Sequence, residues 1–493
     1  MTFLDFLILI PEMYFINLTI FLLWIGIYGR YKLEQKGLFL YSSLSLYATF
    51  VIILTILLLL NTPFTSAMSL LNSYSIDSYS TGLKIFTLVV SFFLLLSTLD
   101  SEKSLSRAVV DVEVTTLRLL IISVLLLLIS INDFIYLFFA LEVYSLASYI
   151  LIGYRGKISI FSAESALKYF IIGTVFSIVM TYAIALIYWT TGLTNFNLLE
   201  AYLSIDPTSA YKLGNFDLLF IASILFLISL FFKLAAAPFH FWAPEVYEGA
   251  PTIITYFLFV VPKIAILAIF IKLGFLFFTM NGIWVLILAG ITSMFVGALG
   301  GLFQPKLKRL LTYSMINNNG FFLFALSILN TFSVVFIIFF LIIYVTTLIG
   351  LFTSIINLRL QQSLVTLKNI WSWTSLFFIN KTQSIANSLL LFSSAGIPPL
   401  VGFISKYLIL FSLIINTANA HYLILFALVV ASLSCFYYIR IVKTMGFIKK
   451  TNWLFIRPPS SASSYIISLA VISIFLLLAS SGLWINLIIL ITI

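Results

Sequence analysis

Residues 218–238 read LLFIASILFLISLFFKLAAAP. From Leu218 to Phe232 there is no charge, and the only polar side chains are Ser223 and Ser229. That run approaches the length needed to cross a bilayer's hydrocarbon core. It ends at Lys233, and five residues later Pro238 removes a backbone donor and disfavours helix at Ala237. The segment reads as a membrane helix that breaks beside a lysine. Lipid cannot satisfy exposed carbonyls, so a break at this depth belongs where protein or water can, and a lysine there marks an ion or proton path.

Runs of the same kind recur from end to end. The chain has 493 residues, 62% hydrophobic and 9% charged. Marking the apolar stretches gives about fourteen spans, centred near residues 20, 50, 90, 123, 143, 178, 225, 262, 291, 320, 345, 400, 430 and 478. The expected fold class is an all-α polytopic membrane protein, one membrane domain without a separate soluble part. A second interruption stands at Gly396-Ile397-Pro398-Pro399, with Lys406 two helical turns beyond. Two interrupted helices in comparable positions of two halves are the pattern of a repeat-built transporter. The expected organisation is 1–110, three N-terminal helices; 111–280, a first repeat; 281–445, a second repeat; and 446–493, a C-terminal helix.

The net charge of +10 reports topology, not nucleic-acid binding. With the first helix starting outside, inward connections hold Arg30, Lys32, Lys36, Lys103, Arg107, Arg118, Arg155, Lys157, Lys306, Lys308, Arg309, Arg359, Lys368, Lys381, Arg440, Lys443, Lys449, Lys450 and Arg457. Outward connections and helix ends hold Lys84, Lys212 and Lys272, which predicts an even helix count and outer termini. Lys272 is expected to snorkel to the interface.

Four lysines remain inside spans: Lys168, Lys233, Lys263 and Lys406. Glu142, near the middle of the fifth span, is the natural partner of Lys233. A carboxylate beside an ammonium at low dielectric keeps both charged, and parting them favours proton release, so the pair can switch. Lys263 follows Pro262 in the eighth span and is suited to connect the Glu142–Lys233 pair with Lys406. The cargo these residues fit is the proton, because lysine sheds and regains one and offers no oxygen cage for Na⁺. The rival reading of Glu142 and Lys233 is a static pair that locks two helices. Lys168 sits one turn after Glu164, where an i,i+4 pair near the interface is the favoured reading and a proton role the secondary one. His240, just after the break, has two open readings: proton relay, or cap of the broken helix.

Cys435 is the only cysteine and excludes an internal disulfide; with two histidines, the chain cannot build a haem, iron–sulfur or zinc site of its own. Redox chemistry is expected in other chains. Met1 to Ile10 is apolar and acid-bearing, without the Arg/Ser-rich character of an import sequence. The expectation is a gene housed in the compartment itself, or a first helix that serves as the signal. Fifty phenylalanines among abundant Ile, Leu, Tyr and Asn are residues supplied by AT-rich codons, as in organellar genomes.

The run 233–251, KLAAAPFHFWAPEVYEGAP, with Thr252 and Pro262-Lys263-Ile264-Ala265, resembles the chain 2 family of NADH:ubiquinone oxidoreductase, the bacterial subunit N of respiratory complex I. So do Glu164 to Phe170, ESALKYF, and Ser394 to Phe403, SAGIPPLVGF; the likeness extends from Pro11-Glu12 to about Tyr438. The resemblance implies two inverted five-helix repeats, each with one broken helix, and a proton-translocating membrane-arm subunit. It assigns Glu142 and Lys233 as gating pair, Lys263 as connector and Lys406 as terminal lysine. FMN, iron–sulfur clusters and quinone are expected in other subunits. Expected partners are the other membrane-arm subunits, including a further antiporter-like subunit and small membrane subunits, and lipids such as cardiolipin. The expected location is the mitochondrial inner membrane, with the bacterial plasma membrane as alternative. The competing functions are a subunit of an Mrp-type Na⁺/H⁺ antiporter, which shares the PFHFW core and the lysines, and a proton-inert scaffold. Lysine at position 406 and the wording APEVYEGAPT favour chain 2.

Overall fold

A computed structural model describes residues 3–32, 37–61, 67–69, 72–103, 108–154, 159–205, 215–274, 276, 282–358, 369–374, 376–416, 420–447 and 459–492. In chain order the helices are α1 (Phe3–Lys32), α2 (Gly37–Leu60), α3 (Ser78–Lys103), α4 (Ala108–Ser130), α5 (Phe134–Gly153), α6 (Ile160–Thr191), α7 (Phe196–Ile205), α8 (Asn215–Leu234), α9 (Trp242–Gly249) and α10 (Thr252–Lys272). They continue as α11 (Ile283–Leu302), α12 (Leu307–Leu326), α13 (Thr331–Asn357), α14 (Leu376–Ile379), α15 (Lys381–Ala395), α16 (Val401–Asn416), α17 (Ala420–Gly446), α18 (Ser461–Ala479) and α19 (Ser481–Thr492). A two-stranded antiparallel hairpin, β1 (Ala67–Ser69) and β2 (Tyr74–Ile76), stands between α2 and α3.

Among the described residues ten helices are long and apolar enough to cross a membrane, and shorter apolar helices such as Leu218–Leu234 and Val401–Ile415 are the pieces of interrupted ones. The helical state follows from the solvent, because in hydrocarbon every backbone N–H and C=O must be bonded within the segment. Local signals set the ends. Asp133 caps α5 by accepting from the Ile135 N–H at 3.1 Å, and α6 stops at Gly192, whose φ of 70° suits a left-handed cap.

The chain forms two compact units, one of residues 1–234, 249–283 and 493, the other of 235–248 and 284–492. In the first, α10 is the central helix: every residue from Ile253 to Phe270 is buried, and α3, α4 and α8 pack on it. Pro262 lies inside α10 without ending it. In the second, α13 is central, packed by α12, α15, α16, α18 and α19. Glu248 at the end of α9 makes ion pairs with Lys306 and Arg309 at the start of α12, tying 235–248 to its own unit.

Three expectations are corrected. Lys84 does not lie at a helix end facing outward; it is two turns into α3, fully buried, and ion-paired with Glu12 of α1. Arg118 does not lie in an inward connection; it is within α4 and 3% exposed. Both escape a hydropathy reading because one charge barely lowers a window average, and the partner of Lys84 is 72 residues away in sequence. The single C-terminal span near 478 is two helices, α18 and α19, parted at Ser480. Lys36, Arg107, Arg155, Lys157, Lys212, Arg359, Lys368, Lys449, Lys450 and Arg457 lie outside the described residues.

Candidate functional site

Each unit contains a lysine beside a helix break. In the first, α8 ends at Leu234, directly after Lys233, and Ala235 takes a positive φ of 58°. Lys233 is 8% exposed, and among the described residues its Nζ has no hydrogen-bond partner. The Glu142 carboxylate acts on it through space. The gating pair of the sequence reading is therefore two charges on α5 and α8 that interact across a gap, not a closed hydrogen-bonded bridge. Lys263, 4% exposed, sits in the middle of α10 within this same unit. Glu142, Lys233 and Lys263 are thus together in one compact body.

Lys168 is 44% exposed on α6 and pairs with Glu164 at 2.8 Å across one helical turn. That geometry is an exposed i,i+4 pair. Lys272 does more than reach for the interface: its Nζ donates to Ser75 Oγ at 3.4 Å and to the Ile131 carbonyl at 3.3 Å.

In the second unit, α15 ends at Ala395 with Gly396 in the left-handed region at φ 83°, and α16 begins at Val401. Lys406 lies five residues into α16 and folds back on the break, its Nζ donating to the carbonyls of Ser394 and Ala395, each at 3.0 Å. Those oxygens are among the last of α15, which have no intrahelical donor and carry the negative end of the helix dipole. The Phe321 ring from α12 faces the same ammonium at 5.4 Å from its centroid. Gly402 makes the fold-back possible, because any Cβ there would collide with the Ser393 carbonyl. A methyl at Gly396 would come to 3.0 Å of the Lys406 Cδ.

A cavity of about 10 Å³, room for one water, touches Lys406 and is lined by Asn318, Tyr344, Thr347, Ser393 and Ser394. Further along α15, Asn387 is fully buried with both amide atoms unpartnered among the described residues, as is Nε2 of Gln383, one turn earlier. Asn317 Oδ1 on α12 is buried and unpartnered too. Buried polar atoms of this kind are ordinarily bonded to internal water. Gln383, Asn387 and Ser394 recur at steps of four and seven residues, so they form one polar stripe on α15 ending at the carbonyl that holds Lys406. The sequence reading missed this stripe. Its signal was available: Asn317-Asn318-Asn319 and the Gln383/Asn387 spacing are amides in otherwise apolar helices.

His240 belongs to the second unit, 6% exposed, with Nδ1 unpartnered; its carbonyl accepts from the Ala243 N–H at 2.9 Å as α9 begins. The Ala237 carbonyl, freed by the break, accepts from Thr292 Oγ1 at 3.1 Å. The two proline breaks are alike in a further respect: both Ala237–Pro238 and Pro398–Pro399 are cis.

Known proteins resemble this chain in sequence and in fold. Residues 131–434 match the family described as NADH:quinone oxidoreductase/Mrp antiporter, TM. The chain is 32% identical to NADH-ubiquinone oxidoreductase chain 2 of Marchantia polymorpha, over 95% of this chain and 94% of the relative. It is also 32% identical to NADH-quinone oxidoreductase subunit N of Pelagibacter ubique, over 90% of each. Among solved structures, a chain of respiratory complex I from Thermus thermophilus superposes with a TM-score of 0.78 at 24% identity, covering 97% of this chain and 98% of that one. A chain of the Mrp complex from Dietzia sp. superposes with a TM-score of 0.75 at 17% identity, covering 100% and 97%; these two structural likenesses bear on the fold.

Proposed function

The chain belongs to the NADH:quinone oxidoreductase/Mrp antiporter family, in the branch of complex I chain 2 (subunit N), and we propose that it moves protons in the membrane arm of that complex through its buried lysines. The observation that carries this reading is the pair of lysines at two helix breaks, Lys233 without a hydrogen-bond partner and Lys406 on the free carbonyls of α15. A cation in a bilayer is costly, and a cation whose ligands are backbone carbonyls or nothing at all is free to give up a proton without tearing a side-chain bridge.

In this scheme Glu142 and Lys233 gate, Lys263 connects, and Lys406 ends the path. Gln383, Asn387 and Asn317 hold the water that brings protons along α15. The Glu142–Lys233 interaction spans a gap, so small movements of α5 against α8 change its strength without rupturing a hydrogen bond. Lys168 and His240 remain secondary: the Glu164 pair supports an interfacial role for the first, and the helix-start position of the second supports capping as well as relay. The repeats 111–280 and 281–445, the outer position of both termini, and a mitochondrial inner membrane setting belong to the same proposal; the bacterial plasma membrane is the alternative location. Flavin, iron–sulfur clusters and quinone belong to other subunits in this reading, and further membrane-arm subunits and lipids such as cardiolipin are the partners.

The Mrp-type antiporter alternative shares the fold, whereas the likeness to chain 2 and subunit N spans nearly the whole sequence at 32% identity. The test is NADH-driven proton pumping by the assembled complex in sealed vesicles, wild type against Lys233→Ala and Lys406→Ala. Loss of pumping and quinone reduction together in an assembled complex supports the proposal. Undiminished pumping in both variants makes the lysines structural and removes it.

A further inference from the structure

The first unit holds a charged cluster that the four-residue scheme leaves unused. Lys84 of α3 is fully buried and donates to Glu12 Oε1 of α1, itself only 2% exposed. Among the described residues the other carboxylate oxygen, Oε2, is buried without a hydrogen-bond partner. Lys272, the last residue of α10, acts on Lys84 and on Asp77 through space while bonded to Ser75 and Ile131. Glu12 in α1, Asp77 just before α3, Lys84 in α3 and Lys272 at the end of α10 therefore bring two carboxylates and two ammonium groups together in the unit.

A static lock explains this cluster poorly. A buried ion pair offsets the desolvation of its charges best when the remaining lone pairs are also satisfied, and among the described residues no protein group bonds Glu12 Oε2, which leaves that oxygen to water or a proton. A fully buried polar stripe also leads to it. From Lys84 the buried hydroxyls Thr87, Ser91 and Thr98 follow along α3 at steps of three, four and seven residues, on one face. Ser97, next to the stripe, hydrogen-bonds Tyr256 of α10, and Tyr256 shares a face of that helix with Lys263 seven residues on. Each of these α3 hydroxyls donates to a carbonyl of its own helix one turn earlier and keeps its oxygen lone pairs, so the stripe is a row of buried acceptors, and Ser97–Tyr256 is its contact with the helix that carries the connector.

We propose that Glu12 is a proton-holding site of the first unit, with Lys84 as its counter-charge and Lys272 as the cation at its exit. It rests on the proton-translocating reading above. A proton passed by water along the α3 hydroxyls binds the free Oε2: an O–H bond forms, the carboxylate becomes a neutral acid, and Lys84 keeps its ammonium hydrogens. Release breaks that O–H bond, leaves its electron pair on the carboxylate and delivers the proton to water beside Lys272. One proton enters, one leaves, and no group is oxidised or reduced.

The experiment is infrared difference spectroscopy of the whole complex, NADH-reduced against oxidised, in H₂O and D₂O, alongside proton-to-electron ratios in vesicles. The expected result is a deuterium-sensitive carboxylic-acid C=O band that disappears in Glu12→Gln and shifts in Glu12→Asp, with a lowered ratio in Glu12→Gln. Lys84→Arg, which preserves the ion pair, keeps the band. If Glu12→Gln does not assemble, Glu12→Asp still decides, because the band moves only when it belongs to residue 12. A band and ratio that ignore both Glu12 variants overturn this site. In that case loss of pumping in Lys233→Ala and Lys406→Ala leaves the broader reading standing, and its absence there removes both.

Discussion

The break after Lys233 and the break before Lys406 use the same residue types to opposite effect. At the first, the lysine is the end of an apolar helix; its ammonium is buried, unbonded and influenced by Glu142 across a gap. At the second, the lysine starts from the far half-helix and turns back to rest on two carbonyls and an aromatic face. The difference teaches that a break can serve a buried cation in two ways. It can provide ligands for the charge, as at Lys406, or leave the charge poorly satisfied and open to a distant carboxylate, as at Lys233. The second arrangement responds to movement, whereas the first holds a position.

The comparison can be broken most directly at the lysines themselves. Lys233→Met and Lys406→Met are both expected to reduce redox-driven pumping by about tenfold or more, equivalent to at least roughly 1.4 kcal/mol in the transfer barrier. They should part company in stability. Lys233→Met removes a charge that no hydrogen bond supports and is expected to leave thermal unfolding of the purified complex unchanged or slightly raised. Lys406→Met strips the Ser394 carbonyl of its ammonium donor and leaves the Ala395 carbonyl only the Cys435 thiol, at about 1–3 kcal/mol. Equal stability in the two variants would mean that the carbonyl contacts count for little, and the contrast drawn here would fail.

Gly402→Ala sharpens the second break. Its methyl has to push α16 from the Ser393 carbonyl, an overpacking cost of about 1–3 kcal/mol, and lower assembly measured by native gels is the expected reading. Asn387→Leu tests the wet approach to Lys406: it replaces two unpartnered amide atoms by apolar surface, so stability should hold while pumping slows several-fold. Slowed pumping with a matching loss of folded complex would instead make Asn387 structural. The smallest effect belongs to Glu164→Gln, which opens an exposed i,i+4 pair with Lys168; a change of about 0.5 kcal/mol or less and normal pumping are expected. Marked loss of pumping there would promote Lys168 from the interface to the path.

Much of this was legible from residue order. Apolar runs with few charges located the helices, because a bilayer leaves the backbone no other way to bond itself, and Pro238 and Pro398-Pro399 located both breaks. Lys233, Lys263 and Lys406 stood out since a charge in such a run is rare. Lys84 carried the same signal but sat only six residues into its helix, where a hydropathy profile cannot tell a snorkelling side chain from a buried one. The Gln383–Asn387 stripe was passed over because single amides in apolar helices also serve to join helices together.

The sequence by itself determined that this chain is a bundle of membrane helices, where two of them are interrupted, and that Lys233, Lys263 and Lys406 stand in apolar segments. Those properties are local, fixed by runs of side chains and by proline's missing N–H. Only the tertiary structure decided that Lys406 rests on the carbonyls of α15, that Lys233 meets Glu142 across a gap, and that Lys84 is matched by Glu12, 72 residues away. Hydrogen bonds and charges act over a few ångströms, and which residues come within that range is a property of how the helices pack.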